Sequence, residues 1–160
     1  MTYCAPRRAI HAVTYTLSAP KACAFGSFWR QVTGLDDEQQ QAFTDRALSW
    51  AALVAVMDSY AAYPDYEGNA YGLSKACINS YTMMLARDNP TIAINACTPG
   101  FIATDLTRGM GATLPPEQGT RATLHCLFGD VGSGFYYGSD AQRSPLNRYR
   151  GPGSAPYEGP

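Results

Sequence analysis

YGLSKACINSYTMMLARDNPTIAINACTPGFIATDL, residues 71–106, decides the fold. In its first part Leu73, Cys77, Tyr81 and Met84 or Leu85 recur every three or four residues, which is the spacing of one apolar helix face. Asn89-Pro90 stops that helix, because a residue before proline is driven out of the helical region. TIAINAC (91–97) is short, apolar and β-branched between breakers, which predicts a buried strand. TPGFIATDL then leads away as a loop.

Working outward, AIHAVTYTL (9–17) also reads as a buried strand, and residues 18–35, with Pro20, Gly26 and Gly34, as a loop. DDEQQQAF (36–43) opens on acids that suit a helix N-terminus. SWAALVAVMDSYAAY (49–63) places Ser49 as an N-cap before apolar Leu53, Val56, Met57 and Tyr60. YPDYEGNA (63–70) breaks the pattern. Downstream, PPEQGTRATLHCLF (115–128) predicts one helix with Pro116 in its first turn, GSGFYYGSD (132–140) a short strand, and residues 142–160 an extended Pro/Gly-rich tail. Strand, helices, strand, helix, strand predicts an α/β fold: a parallel sheet of about three strands with flanking helices.

Composition bounds the function. The chain has 160 residues, 46% hydrophobic and 16% charged, enough for one domain with a core. A net charge of −1 and a pI near 6.1 argue against nucleic acid as a partner. No apolar run reaches the roughly 18 residues of a membrane span, and MTYCAPRRAI has no apolar signal-peptide core, so a cytoplasmic protein with no membrane partner is expected. Cys4, Cys23, Cys77, Cys97 and Cys126 form no C-x-x-C pair and read as small buried hydrophobes in a reducing compartment. His11 and His125 suggest no metal motif, and no metal site is expected.

The chemistry concentrates at Tyr71-Gly72-Leu73-Ser74-Lys75. Residues four apart lie on one helix face, so a tyrosine and a lysine there can serve one small-molecule site. A nearby ammonium favours the phenolate and lets the phenol work as an acid nearer neutrality. The chain has two lysines, Lys21 and Lys75, and one of them is in this pair. A solvated Tyr-x-x-x-Lys face is the alternative reading.

In sequence, YGLSKACINSYTMMLA, the strand INAC and then TPGFIATDLT resemble the catalytic half of the short-chain dehydrogenase/reductase family, in its carbonyl reductase-like branch. The segment DDEQQQAFTDRALSWAALVAVMDSYAA is similar to the helical insertion of that branch, and GFYYGSDAQRSPL to the family's last strand. The resemblance covers residues 10–150; on it, residues 1–150 form a partial family domain and 151–160 a tail. It implies a truncated doubly wound, Rossmann-like sheet and hydride transfer from NADP(H) to a small ketone or aldehyde. Carried over residue by residue, Tyr71 is the general acid and Lys75 holds the nicotinamide ribose and lowers the tyrosine pKa. Pro99 and Gly100 turn the chain beneath the nicotinamide, and the Ile102 backbone and Thr104 hydroxyl meet its carboxamide. Plainer roles are a strand-to-loop turn for Pro99-Gly100 and a helix cap for Thr104.

Two departures accompany the match. The family's catalytic serine corresponds to Ser18 after a slip of about one residue, with Thr16 as the other candidate; Ser59 ranks lower because it falls inside an amphipathic helix. No glycine-rich phosphate loop precedes Tyr71; the glycine-dense stretches are 109–111, 132–134 and the tail. The chain thus reads as beginning at the family's fifth strand. An alternative function follows: a homologue without independent activity, serving as a subunit or interaction module. The open edge of strand 9–17 is then a site for self-association or a protein partner.

Overall fold

A computed structural model describes residues 8–11, 37–62, 70–146 and 150–159. The stretch from Ala70 carries the architecture. Helix α3 (Ala70–Asp88) ends one residue before Asn89, whose side-chain amide donates to the Leu85 carbonyl at 2.9 Å. The Ile92 amide then bonds Asn89 O at 3.0 Å and starts strand β2 (Ile92–Cys97). A turn this tight lets the strand run back along the helix that precedes it.

Strand β1 (Arg8–His11) lies parallel to β2, with Arg8 opposite Ile92 and His11 opposite Asn95. On the other side β2 pairs in parallel with β3 (Tyr136–Tyr137), and β3 pairs antiparallel with β4 (Arg143–Ser144). The order is β1-β2-β3-β4. The expected set of three parallel strands is therefore present, and a two-residue antiparallel strand makes the sheet mixed. Of the stretch read as the first strand, residues 12–17 lie outside the described residues.

Two helices precede α3. They are α1 (Asp37–Thr44) and α2 (Trp50–Ala61), the latter capped by Ser49, whose hydroxyl accepts from the Ala52 amide at 3.2 Å. Phe43, Leu48, Leu53, Ala76, Cys77 and Met84 join α1, α2 and α3 in one buried cluster. Ser80 pins it, its hydroxyl donating to Phe43 O at 2.7 Å across the helix pair. Arg87 donates to the Arg46 and Leu48 carbonyls that follow α1. On the sheet's other flank, Cys97, Ala122, Cys126 and Tyr137 form a second cluster.

The helix expected over 115–128 is two pieces, α4 (Pro116–Gly119) and α5 (Arg121–Phe128), separated at Thr120. The Thr120 hydroxyl donates to Glu117 O at 2.8 Å, and Gly119 sits where an added Cβ would come within 2.9 Å of Ile102 Cγ1. The break therefore falls where the helix presses on the loop after β2. The strand expected over 132–140 is only two residues long, since Gly134 has φ +79° and leaves extended geometry. The backbone still bonds β2 there, through the Gly134 amide to Ile94 O at 2.8 Å and the Ala96 amide to Phe135 O at 2.9 Å, and side chains add to it. Asn95, 1% exposed, donates to Gly132 O and accepts from the Phe135 amide, while Ser133 Oγ accepts from the Ile94 amide.

The C-terminal segment folds back instead of extending away. Arg150 and Asp140 form a bidentate ion pair with side chains only 6% and 14% exposed, and the Tyr157 amide bonds Arg143 O at 3.0 Å.

Candidate active site

Parallel β1 and β2 put their carboxyl ends at one edge of the sheet, and in α/β sheets ligands bind outside that edge. Helix α3 runs opposite to β2. From Asp88 back to Lys75 the helix rises ~20 Å, and β2 spans ~17 Å. Lys75 therefore stands level with the point where β2 gives way to Thr98, Pro99 and Gly100. Tyr71 lies one turn further out on the same helix, near its start. Lys75 is half-buried, and that burial lowers its ammonium pKa from the ordinary value.

The loop after β2 is built, not slack. Gly100 has φ +86°, and a Cβ there would approach both Leu114 Cδ1 and Ser139 Cβ at 3.0 Å. Ile102 is buried and pairs with Leu114 in an isolated parallel bridge. The bridge bonds come from the Ala103 and Leu114 amides, so the Ile102 N–H faces away from that ladder.

Thr107, 2% exposed, organises the rest. Its hydroxyl donates to Ile102 O at 2.6 Å and accepts from the Thr104 amide at 2.9 Å. Thr104 is the N-cap of a single 3₁₀ turn, Asp105–Thr107, and its hydroxyl lies 3.3 Å from that of Thr107. Thr104 holds the N-cap position through its backbone, with its amide on the Thr107 hydroxyl and its carbonyl on the Thr107 amide, and as a residue it is exposed. The loop borders an open hollow of about 810 Å³ lined by Ala103, Thr104, Asp105, Arg108, Gly111 and Pro116 among others. Thr104 is the one sequence-selected site residue in that lining; Lys75, Pro99, Gly100 and Ile102 lie outside it.

Ser18 and Thr16, the hydroxyl candidates, fall outside the described residues. Ser59 spends its hydroxyl on the Val56 carbonyl of its own helix at 2.7 Å. His125 packs edge-on against Tyr137 with ring centroids 5.3 Å apart, a packing role. Among the described residues no three His, Cys, Asp or Glu side chains gather as a metal site.

Sequence reasoning missed Thr107 and the Asp140 clasp. The Thr-x-x-Thr spacing of residues 104–107 was a usable capping signal. Asp140 accepts from Arg150, the Gly153 amide and the Gln142 amide. Burial pushes its carboxyl up, but the Arg150 hydrogen bonds, the two amides and the guanidinium charge outweigh burial and hold it at about 2. That clasp closes the turn carrying Ser139, the neighbour of Gly100.

A region of the chain is similar to known reductases. Salutaridine reductase of Papaver bracteatum is 39% identical over 71 residues, covering 44% of this chain and 23% of that protein. Short-chain dehydrogenase/reductase 1 of Saponaria officinalis is 41% identical over 71 residues, 43% of this chain and 23% of that one. Carbonyl reductase (NADPH) 1 of Mus musculus is 28% identical over 102 residues, 55% of this chain and 36% of the mouse protein. The match thus spans about a quarter to a third of these relatives' own length. No family model matches the chain. Among the described residues, no helix is long and apolar enough to cross a membrane.

Proposed function

We propose that the chain carries part of a short-chain dehydrogenase/reductase domain, on its similarity to known reductases, and that its residues serve reduction of a small ketone or aldehyde by NADPH. What supports this reading best is that α3 runs opposite to β2, so that its N-terminal turns, with Tyr71 and Lys75, come level with the carboxyl end of β2, where Gly100 makes its left-handed turn. The nicotinamide cofactor supplies the hydride when bound. Lys75 is suited to the ribose hydroxyls, the Ile102 N–H and the Thr104 hydroxyl to the carboxamide, and Pro99-Gly100 to the floor beneath the ring. Tyr71 hands its phenolic proton to the carbonyl oxygen as that oxygen gains charge, and the neighbouring ammonium steadies the phenolate left behind. Ser18 or Thr16 holds the carbonyl oxygen in place.

A second reading rests on a specific feature of these residues. The glycines before Tyr71 are Gly26, Gly34 and Gly68, too far apart to cradle a pyrophosphate. On that reading the chain contributes a proton donor and a ribose site and needs a glycine-rich half from elsewhere.

One experiment addresses both. The full chain alone should bind NADPH no better than about millimolar, lacking backbone donors for the pyrophosphate. Co-expression with the glycine-rich N-terminal half of a related reductase should yield NADPH-dependent carbonyl reduction. That activity should vanish in Tyr71→Phe and fall steeply in Lys75→Met. Activity that Tyr71→Phe leaves intact would refute the catalytic assignment. A soluble, assembled and inactive pair would favour the subunit reading.

A further inference from the structure

Two of the buried cysteines meet. Cys97 ends β2, Cys126 lies in α5, and both belong to one core cluster with Ala122 and Tyr137. They share that cluster closely enough for each thiol to shift the titration of the other, and the Cys97 sulfur lies 3.8 Å from Thr123 Oγ1. Ala122, one turn before Cys126, brings no bulk between helix and strand. Both cysteines are free thiols. Cys77, the third described cysteine, sits instead in the helical cluster.

We propose that Cys97 and Cys126 are a redox modification site, closing reversibly to a disulfide when a hydroperoxide reaches them. Closing it needs the two sulfurs to approach within their cluster to a bond of about 2.0 Å. The roles follow from the surroundings. The Thr123 hydroxyl lies 3.8 Å from the Cys97 sulfur and can donate to a thiolate there, while burial raises the pKa of Cys126. That contact makes Cys97 the attacking thiolate of the pair. It breaks the O–O bond of the hydroperoxide, releases the alcohol (water, from hydrogen peroxide) and becomes a sulfenic acid. Cys126 then attacks that sulfur, and its proton leaves with the displaced hydroxide as a second water. The two sulfurs lose two electrons in all and the peroxide gains them. Among the described residues no second cysteine joins Cys77 in its cluster, and burial pushes its thiol up to about 11, which leaves little thiolate. Because Cys97 adjoins Thr98, the bond would fasten α5 to the strand end from which the site loop departs.

Trypsin makes the site easy to read. Cleavage after Arg87, Arg108, Arg121 and Arg143 gives peptides 88–108 and 122–143, each with one cysteine. The reduced full chain is treated with hydrogen peroxide, its remaining thiols are alkylated, and the digest is examined by mass spectrometry. The expected product is these two peptides joined, lighter by two hydrogens than their sum, and separated again by dithiothreitol. The peptide carrying Cys77 should stay alkylated. In Cys126→Ala, Cys97 should instead give a sulfenic acid trapped by dimedone. The proposal is overturned if both peptides remain alkylated while Cys77 oxidises. It is equally overturned if either joins Cys4, Cys23 or Cys77, or if Cys97 passes to sulfinic acid with Cys126 intact.

Discussion

Replacing Thr107 by valine keeps the side chain's shape and removes one hydroxyl that serves two partners. That hydroxyl donates to Ile102 O at 2.6 Å and accepts from the Thr104 amide at 2.9 Å. Ile102 is buried, so its carbonyl would lose its partner away from water, whereas Thr104 is exposed and water can take over its amide. One buried unsatisfied carbonyl costs ~1–3 kcal/mol, and the nearly solvated amide adds little. The expected destabilisation is about 2 kcal/mol. In urea, where m is ~2 kcal/mol/M for a small protein, that moves the midpoint down by about 1 M. Thr107→Ser keeps the hydroxyl and loses a methyl group, and burying one such group is worth only ~0.8 kcal/mol. Urea unfolding of both variants, with hydrogen exchange of the amides from Ala103 to Arg108, measures the difference. Exchange should quicken in that loop in the valine variant and hold in the serine one. If valine proves as stable as threonine while serine is the weaker variant, packing and not hydrogen bonding holds the loop, and the reasoning fails.

Gly100→Ala should cost more than Gly109→Ala, because both sites have positive φ but only at Gly100 would the new Cβ meet Leu114 and Ser139. Strain of ~1–2 kcal/mol is common to both, so the excess in thermal unfolding reads the packing alone. Asp140, held at about 2 against an ordinary 3.8, stabilises the fold fully above pH 4 and loses that contribution as pH falls through its folded pKa. The stability gap between the wild type and Asp140→Asn, about 1–2 kcal/mol at pH 5, should therefore shrink toward pH 2; a gap independent of pH would refute the assignment. β1 is at one edge of the sheet among the described residues, so a self-associated or partner-bound species is expected by sedimentation; a monomer at all concentrations would count against an open edge.

The elements read correctly from sequence are those specified by neighbours along the chain. Ser49 caps α2 because its hydroxyl and the Ala52 amide are three residues apart, and Asn89-Pro90 ends α3 for equally local reasons. The burial of β2 follows from its apolar, β-branched run. The spacing of Tyr71 and Lys75 needed only helical periodicity to be read. What escaped is non-local. Gly119 looks like an ordinary helical interruption until Ile102, seventeen positions earlier, is found against it. Asn95 reads as a blemish in an apolar strand, yet its amide bonds Gly132 O and the Phe135 N–H on either side of Gly134, whose own N–H bonds Ile94 O. Nothing in GSD announces that Asp140 will receive Arg150.

These non-local contacts bear on what the chain can do by itself. Three parts of the molecule meet the Pro99–Thr107 loop: Thr107 from within, Leu114 and Gly119 from the following segment, and Ser139 from the turn that Arg150 closes. A loop so supported has already lost most of its backbone freedom, at a cost of ~1–2 kcal/mol for each ordered residue. If the proposed function holds, a glycine-rich half docking against this edge would find this loop, the proposed nicotinamide side, formed and would not have to order it. Affinity then depends on the contacts the partner adds, the usual consequence of preorganisation. The proposed pair Tyr71 and Lys75 differs in kind, since its spacing is set by the α3 backbone. Damage to the clasp or to Thr107 should therefore raise the KM for NADPH in a complemented pair and spare the dependence on Tyr71. Damage to α3 should abolish both.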